Sequence, residues 1–339
     1  MTAKPKSRPI SGRKIDPTAI VTRVCVAYGD AAFVRTTSLR LAREGMVRAV
    51  REHDDAGIYE YLMDCFNYQG VSNSAASGYL EQHGSINYDD VRHLLVSGAA
   101  LCPKLSGFAA FEGCGFVKSR QSCNNPAAFA QCPLPKHDLR KGALNQAAYS
   151  LHLFLRDRAG ADLVGFIDGL LERADRPGHP DRQALMRRAL MDELIQIFGV
   201  SRKVLNMTFA DLLIGSDPSR SRWVETGSSM IAIDTLVHNF LSRTGIHYWL
   251  DAEHRYGSAC YGERGCEGIV DRIAREIDAR QFNPDFPAYF PRFVQHAIWR
   301  FCAEGGAGIC NGRNIADAER CDQQACAVFP ICGRVALSP

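Results

Sequence analysis

The stretch Ile197-Phe198-Gly199-Val200-Ser201-Arg202-Lys203-Val204-Leu205-Asn206 reads as two helices joined by a turn of only a few residues. Gly199 supplies the backbone freedom for the reversal. Ser201 caps the second helix, whose N-terminus presents unpaired N–H groups and a partial positive charge, a natural seat for a phosphate. Lys203 falls in its first turn, beside Arg202. Downstream, Ile231-Ala232-Ile233-Asp234-Thr235-Leu236-Val237-His238 sets Asp234 just before an apolar helix. Taken alone, Lys203 is a phosphate-contacting lysine and Asp234 an ordinary N-cap.

The cysteines are the second chemical signal. The chain holds 13. The N-terminus, Met-Thr-Ala-Lys-Pro-Lys-Ser-Arg-Pro, has no apolar core after it, so a secretory leader is not expected and an intracellular protein is. In a reducing compartment, cysteines at this density serve as metal or cluster ligands more often than as disulfides. Cys310, Cys321, Cys326 and Cys332 lie together in the tail, and four thiolates on an irregular loop suit a [4Fe–4S] cluster or zinc. Cys302 stands on the preceding helix, either packed or substituting for Cys310. Cys114, Cys123 and Cys132, followed by His137, form a second possible zinc set, against the alternative of buried thiols in a loop-rich insertion. Cys260 and Cys266 read as buried thiols of the same sort.

These residues together resemble the endonuclease III branch of the helix-hairpin-helix DNA glycosylases. The family hairpin reads Leu-Pro-Gly-Val-Gly-Arg-Lys-Thr-Ala, followed by a Val-Asp-Thr-His-like element. Gly199-Val200, Arg202-Lys203 and Ile233-Asp234-Thr235 match it, and a weaker likeness runs from about Tyr59 to the C-terminal cysteines. Phe198 replaces the usual Pro, Ser201 replaces the second hairpin Gly, and the interval from Lys203 to Asp234 is longer than is typical. Of the family's C-x6-C-x2-C-x5-C spacing, only the last interval is kept in C-x10-C-x4-C-x5-C.

The resemblance implies a two-lobed all-α fold with a [4Fe–4S] cluster, acting as a monomer on double-stranded DNA in the cytoplasm at the nucleoid. It implies that Lys203 attacks C1′ of an everted nucleotide, assisted by Asp234, giving glycosylase and abasic-site lyase activity. Gln69, in Cys65-Phe66-Asn67-Tyr68-Gln69-Gly70, matches the family segment whose Gln inserts into the duplex; otherwise it is a solvated loop residue. Gly199, Ser201 and Arg202 would contact the DNA backbone. Two alternatives stand beside this: a monofunctional glycosylase in which Asp234 activates water, and a non-catalytic DNA-binding protein with a structural metal cluster.

The elements that must position these residues are helical. Apolar periodicity predicts helices over 36–51, 59–66, from Ser72 or Ser74 to about 82, 89–101, 143–156, 163–173, 181–197, 202–213, 234–244, 266–280 and 289–303. Residues 102–142 break the pattern with cysteines, glycines and prolines and read as an irregular insertion. Residues 215–229 read as a polar loop, in which Trp223 either stacks on a base or anchors the loop. His238 either points into a cleft or is a half-buried helix histidine. The expected division is a flexible arm over 1–14, a barrel lobe over 55–232, and a second lobe joining 15–54 to 233–339.

Net charge is +3, but residues 1–51 carry 11 Lys/Arg against 3 Asp/Glu, a balance of +8 that leaves −5 for the remainder. Arg35, Arg40, Arg43, Arg48 and Arg51 can track a nucleic-acid backbone or form a solvated face. No apolar run approaches the roughly 20 residues of a membrane span.

Overall fold

The computed structural model describes residues 14–98, 102–112, 114–117, 119–120, 122–124 and 139–338. The basic arm, Cys132 and His137 lie outside them, apart from Lys14. The fold is all-α. In chain order come α1 (Pro17–Tyr28), α2 (Phe33–Arg43), α3 (Met46–Glu52), α4 (Asp55–Asn67), α5 (Asn73–His83), α6 (Tyr88–Gly98) and α7 (Phe108–Phe111). A small hairpin, β1 (Phe116–Val117) and β2 (Ser122–Cys123), pairs antiparallel with Phe116 opposite Cys123. Then follow α8 (Ala143–Asp157), α9 (Leu163–Ala174), α10 (Arg182–Leu194), α11 (Arg202–Gly215), α12 (Ser221–Ser229), α13 (Thr235–Arg243), α14 (Ile246–Trp249), α15 (Cys266–Arg275) and α16 (Pro291–Cys302).

Helix starts obey side-chain chemistry. Asp16, Asp54, Ser72, Asp162, Ser201 and Asp234 each cap a helix by accepting a hydrogen bond from a backbone N–H of its first turn. Each such cap is worth about 1 kcal/mol.

The chain divides into two units. One comprises Thr37–Thr226. Its centre is α8, whose residues from Ala143 to Leu155 are all buried, the polar Asn145, Gln146, Ser150 and His152 included, with α4, α6 and α7 packed against it. Leu151, Phe154, Ile167, Leu190, Leu205 and Phe209 fill this core. The other unit joins Met1–Thr36 to Gly227–Pro339. Here α16 is central, with α1, α13 and α15 against it, and Val24, Phe240, Ile269, Phe293 and Phe301 buried between them. Each such side chain contributes about 1.5–3 kcal/mol when withdrawn from water.

Three expectations change. The helix expected over 36–51 is two, broken at Gly45, whose φ of +78° ends one helix and starts the next. The boundaries between units fall after Thr36 and Thr226, so residues 37–54 belong with 55–226. The reason is packing: Thr37 and Leu41 close against Gly215, where an added Cβ would lie 2.8 Å from Leu41, and Arg40 pairs with Asp211 at 2.8 Å. The polar loop 215–229 contains α12. Its Trp223, Thr226 and Gly227 are buried at helical spacing, and the Trp223 indole donates to Asp168 at 2.7 Å, so the tryptophan anchors rather than stacks. No helix among the described residues is long and apolar enough to cross a membrane.

Candidate functional site

In the Thr37–Thr226 unit, α10 and α11 form the expected hairpin, reversed at Gly199 with φ +86°. An added Cβ there would stand 3.4 Å from Ala147 N, an ordinary contact, so the left-handed conformation rather than lack of space calls for glycine. The turn is braced from three sides. Gln69 Nε2 donates to Gly199 O at 3.0 Å while Gln69 Oε1 accepts from Ser201 N at 2.7 Å. Arg140 donates to the same Gly199 oxygen at 3.0 Å. Phe198 N donates to Ser150 Oγ at 2.7 Å. Ser201 Oγ caps α11, and Arg202 and Lys203, both half-buried, open that helix. Gln69, Gly199, Ser201 and Arg202 are thus brought to one turn. Gln69 serves there as a brace, and entry into a duplex would break both its bonds.

The arginine stripe is partly committed within the same unit. Arg40 pairs with Asp211 and, at 3.2 Å, with Glu44; Arg48 pairs with Glu52 at 3.8 Å. Cys114 precedes β1 and Cys123 lies in β2; Cys114 Sγ accepts from Gln146 at 3.6 Å and Cys123 Sγ lies 3.9 Å from Asn124 Oδ1.

The other unit carries Asp234 and the tail cysteines. Asp234 Oδ1 accepts from Val237 N at 2.9 Å and starts α13. Lys203 and Asp234 therefore belong to different units.

Cys310, Cys321, Cys326 and Cys332 form one electrostatic group. Burial, with repulsion from the other three thiols, pushes Cys332 up to about 12. Burial likewise raises Cys321 and Cys326. Burial, with a hydrogen bond to Cys310, raises Cys302 at the end of α16, and the same bond lowers Cys310. Arg334 N donates to Cys332 Sγ at 3.4 Å. Arg243 lies beside them, only 2 % exposed: Nη2 reaches Ile315 O at 3.0 Å and Asp317 at 2.7 Å, while Nε and Nη1 have no hydrogen-bond partner. A buried cation with two orphaned donors beside four thiols fits an anionic cluster better than it fits an apolar core.

A third set was not singled out as ligands from the sequence. His238 on α13, His247 on α14, His254 in the following loop and Cys266 at the start of α15 bring their ligand atoms within 4.8 Å of one another and could hold a metal ion. Cys266 Sγ lies 3.3 Å from His238 Nδ1, 3.4 Å from His247 Nε2 and 3.3 Å from His254 Nε2. Cys260 Sγ lies 3.6 Å from His238 Nδ1. Burial, aided by the adjacent His238 and His254, holds His247 down at about 3, so its imidazole is neutral. A hydrogen bond between Cys260 and Cys266 lowers the first thiol and raises the second. The available signal was a run of three histidines and two cysteines between 238 and 266 at intervals of 9, 7, 6 and 6 residues.

No family model matches the chain, and neither a curated protein nor a solved structure does.

Proposed function

We propose that the chain is a DNA glycosylase with abasic-site lyase activity and the two-lobed helix-hairpin-helix architecture, acting as a monomer on double-stranded DNA at the nucleoid. The observation that carries this reading is the α10–α11 hairpin: a left-handed Gly199, a Ser201 cap, and Arg202 and Lys203 at the mouth of α11. Such a terminus, with its unpaired N–H groups and partial positive charge, seats a phosphate.

In this reading the Lys203 Nζ lone pair forms a bond to C1′ while the N-glycosidic bond breaks, its electrons leaving with the base, which takes up a proton. Loss of the amine proton and ring opening give an imine. Removal of a 2′ proton then expels the 3′ phosphate. Asp234 stabilises positive charge on the sugar. Gln69 contributes through the turn it braces. Cys310, Cys321, Cys326 and Cys332 would hold the [4Fe–4S] cluster, with Arg243 balancing its charge. When bound, the cluster supplies cross-linking of the C-terminal loop and a redox-active group; zinc at the same thiols would supply the first alone.

Borohydride trapping on oligonucleotides carrying a panel of damaged and modified bases tests the assignment. A covalent complex is expected with the wild-type chain and not with Lys203→Ala; equal trapping by both overturns Lys203 as the nucleophile. Base release without strand nicking selects water activation by Asp234. Duplex affinity with steep salt dependence, but no release from any lesion, selects a non-catalytic DNA-binding protein.

A further inference from the structure

We infer that His238, His247, His254 and Cys266 form a structural zinc site, separate from the tail cysteines and independent of any catalytic reading. Zinc bonds of about 2.3 Å to sulfur and 2.0–2.1 Å to nitrogen set a tetrahedral S···N edge of about 3.6 Å. The three edges from Cys266 Sγ measure 3.3, 3.4 and 3.3 Å. One sulfur therefore lies close to the tetrahedral edge length from each of three imidazole nitrogens, and all four ligand atoms lie within 4.8 Å of one another.

Hydrogen bonding alone does not account for this convergence. A thiol has one proton to donate and is a weak acceptor. His254 Nδ1 lies 2.8 Å from Ala252 O, a carbonyl that can only accept, so Nδ1 carries a proton and Nε2 is the nitrogen turned toward the sulfur. His247 Nδ1 is held by Ser242 Oγ at 2.9 Å, with Nε2 turned to the same point. Outer hydrogen bonds that fix the tautomer and aim the remaining nitrogen are characteristic of metal-ligating histidines. The donor set, three imidazoles and one cysteine sulfur, is borderline-soft and four in number, which favours Zn²⁺ over oxygen-seeking Mg²⁺ or Ca²⁺. His238, His247 and Cys266 are buried and His254 half-buried, so the set closes around the ion and leaves little access for a substrate. Cys260 lies outside the four, hydrogen-bonded to Cys266 and His238.

The consequence is local order. His238 stands four residues after Asp234, one turn into α13. The zinc ties that turn to α14, to the loop at His254 and to the first residue of α15, and so spans the segment between α14 and α15, which holds the short turn Ser258–Tyr261.

Elemental analysis of the full chain, purified without added metal, tests the site. To separate it from the tail, the measurement is made in a Cys326→Ala background as well as in the wild type. One zinc per chain is expected in that background, and none after adding Cys266→Ala. Retention of the zinc by the double variant, or its absence from the Cys326→Ala chain, overturns the assignment. Because a ligand variant may fail to fold, Co²⁺ exchange into the Cys326→Ala chain is the second readout. Tetrahedral d–d bands with one thiolate charge-transfer band are expected, and an octahedral spectrum overturns the site. Cys260→Ser is expected to keep the zinc; its loss there would displace His247 from the ligand set in favour of Cys260.

Discussion

Asp234 allows a cap to be separated from a catalyst. Its Oδ1 accepts from Val237 N at 2.9 Å, an N-cap bond at the start of α13. Asn serves nearly as well as Asp in that position, whereas Ala loses about 1 kcal/mol. Neutralising the carboxylate also removes its favourable interaction with the helix dipole, about 0.3–1 kcal/mol. Asp234→Asn should therefore melt within roughly 2 °C of the wild type, and Asp234→Ala roughly 2–4 °C lower. If the carboxylate also stabilises charge on the sugar, both variants lose base release on the order of 10²–10³-fold, a loss unrelated to their melting order. Single-turnover base release and thermal unfolding on the same preparations give the two numbers. An Asp234→Asn chain that retains a rate within a few-fold of wild type would refute the reasoning and leave Asp234 as a cap only.

Two further predictions concern the other unit. Gly199→Ala forces a side chain into a φ of +86°, so urea unfolding should show a loss of about 1–3 kcal/mol, and an unchanged midpoint would contradict the strain argument. His152 is buried with neither ring nitrogen hydrogen-bonded, stacked on Tyr88 at 4.6 Å, and burial lowers its pKa from 6.5 to about 4. Because the folded pKa lies below the unfolded one, its stabilising share is complete above about pH 6.5 and falls as the pH drops toward 4. Stability is therefore expected to fall across that window, and His152→Phe should flatten the fall; identical pH profiles for the two chains would refute the assignment.

Much of the helical framework was legible because it rests on local chemistry. The periodic apolar positions of α8, α9 and α11 and the caps at Ser72, Ser201 and Asp234 are properties of neighbouring residues. What was not legible depends on partners distant in sequence. In α12, Ser221-Arg222-Trp223-Val224-Glu225-Thr226 reads as polar until Asp168 is known to receive the Trp223 indole. The position of α2 with the 55–226 segment depends on Gly215 and Asp211, which hydropathy over residues 36–51 cannot reveal. The histidine–cysteine centre was missed because its donors come from α13, α14, a loop and α15 at unequal intervals, with no pair at short zinc-knuckle spacing. The proximity of the tail cysteines was legible because they lie close in the chain as well as in space.

The bracing of the Gly199 turn bears on how it can be assembled. Its bonds reach Gln69, Arg140 and Ser150, which are 130, 59 and 48 residues away along the chain. Closing loops of that length carries an entropic cost that must be met before the contacts return anything, so the turn should acquire its shape late in folding. A synthetic peptide spanning only α10 and α11 would lack all three clamps, and grafting the hairpin onto another scaffold would require carrying them along.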